Sequence, residues 1–234
     1  GIPSGSRLST SSVARSMLRF TTAGESHGQA LVSILEGMPA GIPLLASDVD
    51  AELARRQQGY GRGRRMQIER DTAELLSGVR AGETLGSPIA MLIRNRDWKN
   101  WQEIMDPAPR EGEPADGLRK RAVTRVRPGH ADLTGILKYD RDDARDILER
   151  ASARETTARV AAGAVARRLL AELGIAVGSH LVHLGGVDAT PPEVLPSPLN
   201  EASDASSLRT LDPEAERAMI ERIDAAKRAG NALG

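Results

Sequence analysis

Two histidines stand on glycine-punctuated turns, where a side chain can face a ligand. His27 lies in GESHG, and His130 follows Pro128 and Gly129 in RPGHAD. An imidazole titrating near ~6.5 is the natural proton carrier at neutral pH. An ordinary turn histidine would look the same in either place, so residue type alone leaves both readings open. The other two histidines, His180 and His183, lie in the strand-like run SHLVHLGG. Their odd spacing puts them on opposite faces of a strand, which argues against a shared metal.

Arginine supplies a second kind of chemistry. The run ARRQQGYGRGRRM carries Arg56, Arg62, Arg64 and Arg65 on a glycine-rich loop after a helix. Glycines let backbone N–H groups approach an anion, and guanidinium forks match phosphate and carboxylate oxygens. The same run could be a solvated charged loop or an Arg-Gly nucleic-acid segment. Against the last stand its shortness, its single aromatic residue and a chain of formal net charge +0. A third cluster runs from Arg150 to Glu155, where a helix start offers free N–H groups. Arg150 and Arg154 flank that start, and plain capping with salt bridges would account for them as well.

These side chains need a folded scaffold, and composition limits its kind. With 234 residues the chain suffices for one large domain or two small ones. Only four of the 32 basic side chains are lysine, so forked anion ligands are abundant. There is no cysteine, which excludes disulfides, thiolate metal sites and cysteine nucleophiles. This fits a cytoplasmic protein. No apolar run approaches the ~20 residues that span a bilayer. Aromatic residues make up 2%, so Leu, Ile, Val and Ala must fill the core.

Residues 1–16 are rich in Ser and Arg, lack acidic residues and show no apolar period; they read as a disordered leader or tag. The folded part, 17–234, is read as one domain. Strands are expected over Met17–Thr22, Ala30–Leu35, Met66–Glu69, Leu75–Val79, Ile89–Ile93 and Ile175–Leu184. A helix capped by Ser47, with Asp50 three positions on, should run to Gln58 and stop at Gly59. Residues 95–120 read as a long surface excursion, mostly a tolerated insertion. Ser152 to Glu155 has the form of a capping box that splits the helical stretch from Asp142 to Leu173 in two. The second of those helices would bury Ala158, Ala161, Ala162, Val165, Leu169 and Leu173. Asp212 and Pro213 should open a last helix that ends at Gly230. Strands in runs with helices between them indicate an α+β layered sandwich rather than a βαβ repeat. Neither a dinucleotide fingerprint nor a phosphate loop is present.

Taken together, the blocks MLRFTTAGESHGQALVSILEGMPAG, RRQQGYGRGRRM, TRVRPGHADLTGILKY and ERASARETTARVAAGAVARRLL resemble those of chorismate synthases, in the same order and at similar spacing. The resemblance runs from Met17 to about Gly234 and is weakest over 95–120 and 190–212. It implies the layered β-α-β sandwich of that family and a 1,4-trans elimination of phosphate from 5-enolpyruvylshikimate 3-phosphate to give chorismate, the last step of the shikimate pathway. Reduced FMN is required, without net redox change. His27 matches the histidine that protonates the reduced flavin, and His130 the one that protonates the departing phosphate. Arg56 and Arg62 match positions that bind the anionic substrate, or NADP in some members. Arg150, Ala151 and Ser152 match a flavin-contacting segment, with Ser26, Arg127 and Arg154 as neighbours. No metal, nucleic acid or membrane is implied, and a homotetramer is. Family members continue past a glycine-rich stretch like NALG into another half with further flavin contacts. Two other readings remain at this point. An Arg-rich anion- or nucleic-acid-binding module would ignore flavin, and a histidine-dependent phosphatase would cleave generic esters without it.

Overall fold

The computed structural model describes residues 17–61, 70–109, 122–231 and 233. In chain order it forms β1 (Arg19–Ala23), β2 (Ala30–Glu36), β3 (Ala40–Pro43), α1 (Ala46–Gln57), β4 (Glu74–Leu75), β5 (Val79–Arg80), β6 (Glu83–Leu85) and β7 (Ile89–Arg94). Then follow α2 (Asp132–Tyr139), α3 (Arg145–Leu148), α4 (Thr156–Glu172), β8 (His183–Leu184), β9 (Val187–Asp188), α5 (Leu199–Asp204) and α6 (Pro213–Arg228). Single 3-10 turns occupy Trp98–Asn100 and Ala153–Glu155.

The main sheet is antiparallel, in the order β1-β2-β7-β4. Its register pairs Leu31 with Ile93, Ser33 with Met91 and Leu35 with Ile89, so these six side chains share one face. All six are buried, and the intervening Val32 and Ile34 point to the other side. The buried face carries α4, whose Ala158, Ala161, Ala162, Ala164 and Val165 join the same core. Alanines let the helix axis approach the sheet closely. Val49 and Leu53 of α1 complete the layer. A small sheet β3-β6-β5 flanks it, pinned by Thr84, whose buried hydroxyl donates to the Pro39 carbonyl (2.6 Å) and accepts from Ile42 N (2.9 Å). The architecture is α+β, a helical layer on antiparallel sheet, as the strand and helix pattern implies.

Several boundaries differ from the sequence reading. Helix α1 begins at Ala46, and Asp48 rather than Ser47 closes its first turn by accepting from Leu45 N at 2.8 Å. Asp50 instead accepts from Ala73 N at 2.8 Å and ties the helix to the approach to β4. The run from Leu75 to Val79 is not one strand. Gly78, at φ +81°, breaks it, so that Leu75 pairs with β7 and Val79 with β6. A Cβ on Gly78 would lie 2.6 Å from the Pro88 carbonyl, so the bend needs glycine. Met66–Glu69 lie outside the described residues. Of the run from Ile175 to Leu184, only His183 and Leu184 form a strand, in a two-stranded hairpin. Leu173, the residue that follows α4, is 66% exposed, so the buried face of that helix ends before it. The closing helix is as expected: Asp212 accepts from Glu214 N and Ala215 N, Pro213 is the first residue, and Gly230 follows at φ +69°.

Candidate active site

The β1–β2 connection holds His27 by contacts from three distant segments. Gly24 turns the chain at φ +98°, where a Cβ would meet the Ala30 carbonyl at 2.3 Å. Gly24→Ala is therefore expected to destabilise the protein by about 1–3 kcal/mol, read as a lowered Tm. Buried Asn95 donates its amide to the Glu25 and Gly28 carbonyls at 3.2 and 2.6 Å, fixing the loop from beneath. Glu149, the residue that caps α3, takes both sides of the loop. Its backbone carbonyl accepts from Ser26 N at 3.0 Å, and its carboxylate accepts from His27 N at 2.8 Å. The same carboxylate lies 2.9 Å from His27 Nδ1 through either oxygen. Trp101 stacks on the imidazole, ring centroids 3.8 Å apart and planes tilted by 35°.

Glu149 is 1% exposed. Burial alone would raise its carboxyl, but hydrogen bonds from the His27 ring and backbone, with one from Arg145, hold it below the ordinary glutamate value. Arg145 Nη1 donates to Glu149 at 2.7 Å while the guanidinium lies 5.1 Å from the Trp101 ring centre.

One turn on, the segment 150–156 collects the remaining candidates. Arg150 Nη2 donates to the Thr22 carbonyl (2.8 Å), the Thr22 hydroxyl (2.6 Å) and Glu155 (3.3 Å). Ala151 is exposed beside it. Ser152 donates its hydroxyl to that of Ser26 at 3.2 Å and accepts from Arg154 N at 3.2 Å, starting the 3-10 turn that leads into α4. This is half of the expected capping box. Glu155 does not close it but accepts from Thr22 (2.6 Å) and Arg159 (2.8 Å), tying the helix start to β1. Arg154 is 7% exposed and paired with buried Asp71 at 2.6 Å, and its Nε donates to Asn95 at 3.0 Å. Arg56, at the end of α1, donates to the Ala153 carbonyl (2.9 Å) and the Thr156 hydroxyl (2.9 and 3.1 Å). Thus Ser26, His27, Arg56, Arg150, Ser152 and Arg154 form one connected network. Arg62 lies outside the described residues.

His130 belongs to a second cluster, before α2. Its Nδ1 lies 2.5 Å from Asp132, which is fully buried at the first turn of the helix. Arg127 binds the same carboxylate through its backbone N (3.1 Å) and its Nε (2.9 Å), and its Nη2 sits 3.1 and 3.2 Å from the two ring nitrogens. Those Arg127 hydrogen bonds hold the Asp132 carboxyl far below its usual range, against the effect of burial. His183 pairs with Asp188 at 2.6 Å on the exposed hairpin. No group of three or more potential ligands among the described residues could hold a metal ion.

Sequence reasoning missed Asp71, Asn95, Trp101, Arg145 and Glu149. Trp101 and Asn95 fall in the stretch read as an insertion, which is corrected here: its first part builds the floor and one wall of the His27 site. The signal in the sequence was Trp98 and Trp101, with Ile104 and Met105 just after them, large apolar residues in a mostly polar segment.

The chain as a whole is similar to known proteins. The sequence pattern of the chorismate synthase family matches residues 18–234. A chorismate synthase of Bacillus cytotoxicus is 54% identical over 219 residues, covering 93% of this chain and 56% of the relative. One of Symbiobacterium thermophilum is 54% identical over 218 residues, with the same coverage. A chorismate synthase crystal structure superposes with a TM-score of 0.71 at 43% identity, covering 93% of this chain and 56% of that one. The chain therefore spans about half the length of the curated relatives it matches. With nearly all of its own length inside that pattern, and its fold shared with a solved member, the chain belongs to the chorismate synthase family.

Proposed function

We propose that the protein carrying this chain eliminates phosphate from 5-enolpyruvylshikimate 3-phosphate to give chorismate, with reduced FMN and no net redox change. The observation that carries the reading is the connected network of Ser26, His27, Arg56, Arg150, Ser152 and Arg154 inside a chain of this family. The substrate bears one phosphate and two carboxylates, and arginine forks suit all three. The module reading fits less well, because the relatives that the chain matches are chorismate synthases.

The donor set at 150–152 also suits a reduced flavin. The Arg150 side chain is 39% exposed, and the Ser152 hydroxyl, half-buried, donates to that of Ser26. Arg150, Ala151 and Ser152 would hold the cofactor, which would lend electron density transiently to the substrate and recover it as the phosphate and the C6 hydrogen leave. The chain's own residues supply position and protons. Expelling phosphate builds negative charge, which arginine stabilises. His130 protonates the leaving phosphate, and His27 is the proton carrier at the flavin side. Arg127, against the His130 ring, favours the anion. Arg62 shares substrate or NADP binding with Arg56. A cytoplasmic homotetramer is part of the same proposal. No helix among the described residues is long and apolar enough to cross a membrane.

The test is an anaerobic assay with reduced FMN and 5-enolpyruvylshikimate 3-phosphate, run on the full-length protein and on this chain. Chorismate formation by the full-length protein is the expected result; its absence in folded, flavin-loaded protein overturns the reading. In that assay His130→Ala should lower turnover by about 10²-fold or more while the far-UV spectrum stays unchanged.

A further inference from the structure

We propose that Glu149 is a positioning residue that keeps the proton of the neutral His27 ring on Nδ1, leaving Nε2 as the atom that exchanges protons with what binds beside it. The proposal rests on His27 being the proton carrier of the reading above and adds which atom acts and what fixes it.

The argument starts from donors and acceptors. Glu149 is buried, held below the ordinary glutamate value and ion-paired with Arg145 at 2.7 Å, so it is a carboxylate and can only accept. Both of its oxygens lie 2.9 Å from His27 Nδ1. A carboxylate so placed requires Nδ1 to donate, and in a neutral imidazole the second nitrogen then carries the lone pair. Oε2 also accepts from the His27 backbone N–H, and the Glu149 carbonyl accepts from Ser26 N–H. The one residue that caps α3 therefore fixes the histidine at ring, at backbone and at the preceding residue.

The ring plane is set separately. Trp101 covers the imidazole, and Arg145 bridges the Glu149 carboxylate and the Trp101 ring. Tilting the imidazole about its Cβ–Cγ bond would break the Nδ1 contact and the stack together, and a half-turn, which keeps the stack, would put Cδ2 against the carboxylate in place of Nδ1. This is the logic by which a buried carboxylate orients a catalytic histidine in other folds. It is built here from residues 122 positions apart in sequence.

Replacement of the carboxylate by an amide makes the test. In Glu149→Gln the amide NH2 can turn toward the ring, and Nδ1 then accepts and the proton moves to Nε2. Two readouts apply, both on the full-length protein. Selective ¹⁵N labelling of histidine reports the tautomer, with the His27 signals identified by their loss in His27→Ala. Steady-state kinetics reports the effect on turnover. The wild type should show Nδ1–H with an unprotonated Nε2. Glu149→Gln should shift the tautomer and lower kcat about 10–100-fold with little change in KM, the scale set by partners of metal-ligating histidines. Glu149→Asp, which keeps the charge at shorter reach, should retain the tautomer and recover part of kcat.

A wild-type ring protonated on Nε2 overturns the proposal whether or not the glutamine variant folds. So does an unchanged tautomer with unchanged kcat in Glu149→Gln. If His27→Ala keeps wild-type turnover, the proton-carrier reading of His27 fails; the labelled spectra still decide the tautomer separately.

Discussion

In the full-length protein, His27→Ala is expected to lower turnover about 10²–10⁴-fold, the range by which a positioned acid or base contributes, with the fold intact. The separation of activity from stability follows from what the imidazole leaves behind. Glu149 loses the ring contact but keeps the His27 backbone N–H at 2.8 Å and Arg145 at 2.7 Å. The buried carboxylate is therefore not stranded, and the loop keeps its Asn95 and Ser26 anchors. The loss in stability should be on the order of 1 kcal/mol, that of one hydrogen bond and part of an aromatic contact. The measurement is kcat in the anaerobic assay beside a thermal melt of the same sample. Near-wild-type kcat would remove His27 from proton transfer. A Tm drop large enough to unfold the variant at assay temperature would make the loss of rate structural.

That loop also shows what was legible before the structure. Gly24, Gly28 and the β-branched and aliphatic run Leu31 to Leu35 announce a turn between strands, because backbone conformation and strand propensity both leave local marks. Asp212-Pro213 announces a helix start for the same reason. The partners of His27 left no such mark. Glu149 sits in a helical stretch where a glutamate is ordinary, and only the packing of α3 under the loop turns it toward Nδ1. Trp101 follows a polar run rich in turn formers, and its stacking on His27 has no sequence period. Strand ends failed where tertiary contacts decide them: Leu75 and Val79 are split between two sheets by one glycine, and of Ile175 to Val182 only Leu181 pairs, as a single bridge to Thr210. The histidines and arginines stood out in the sequence through their glycine-marked turns and the blocks that resemble a family, while the acidic residues that hold them were visible only in three dimensions.

Asp71→Ala should be the most destabilising of the substitutions considered, costing about 3–5 kcal/mol. Asp71 and Arg154 are both buried, and their ion pair at 2.6 Å sits between the approach to β4 and the start of α4. Removing the carboxylate leaves a guanidinium that has given up its hydration without its counter-charge. Gln57 loses its 3.0 Å contact to the same oxygen pair, and Arg56, 3.9 Å away, adds a second cation to the vacated place. At roughly 2–4 °C per kcal/mol the drop in Tm should be on the order of 10 °C. The cause can be separated from simple loss of contact by the double variant Asp71→Ala/Arg154→Met, which removes the stranded charge as well. Its Tm should exceed that of Asp71→Ala, though not reach wild type, because Asn95 then lacks its 3.0 Å donor. Equal or lower stability in the double variant would mean that the pair holds the structure by its hydrogen bonds and not by charge compensation. The consequence reaches the site through Asn95, whose other contacts are the Glu25 and Gly28 carbonyls. A looser Asn95 frees the loop that carries His27, so the double variant should fold at assay temperature yet turn over more slowly than wild type. Full activity in it would show that the His27 loop is held well enough by Glu149 alone.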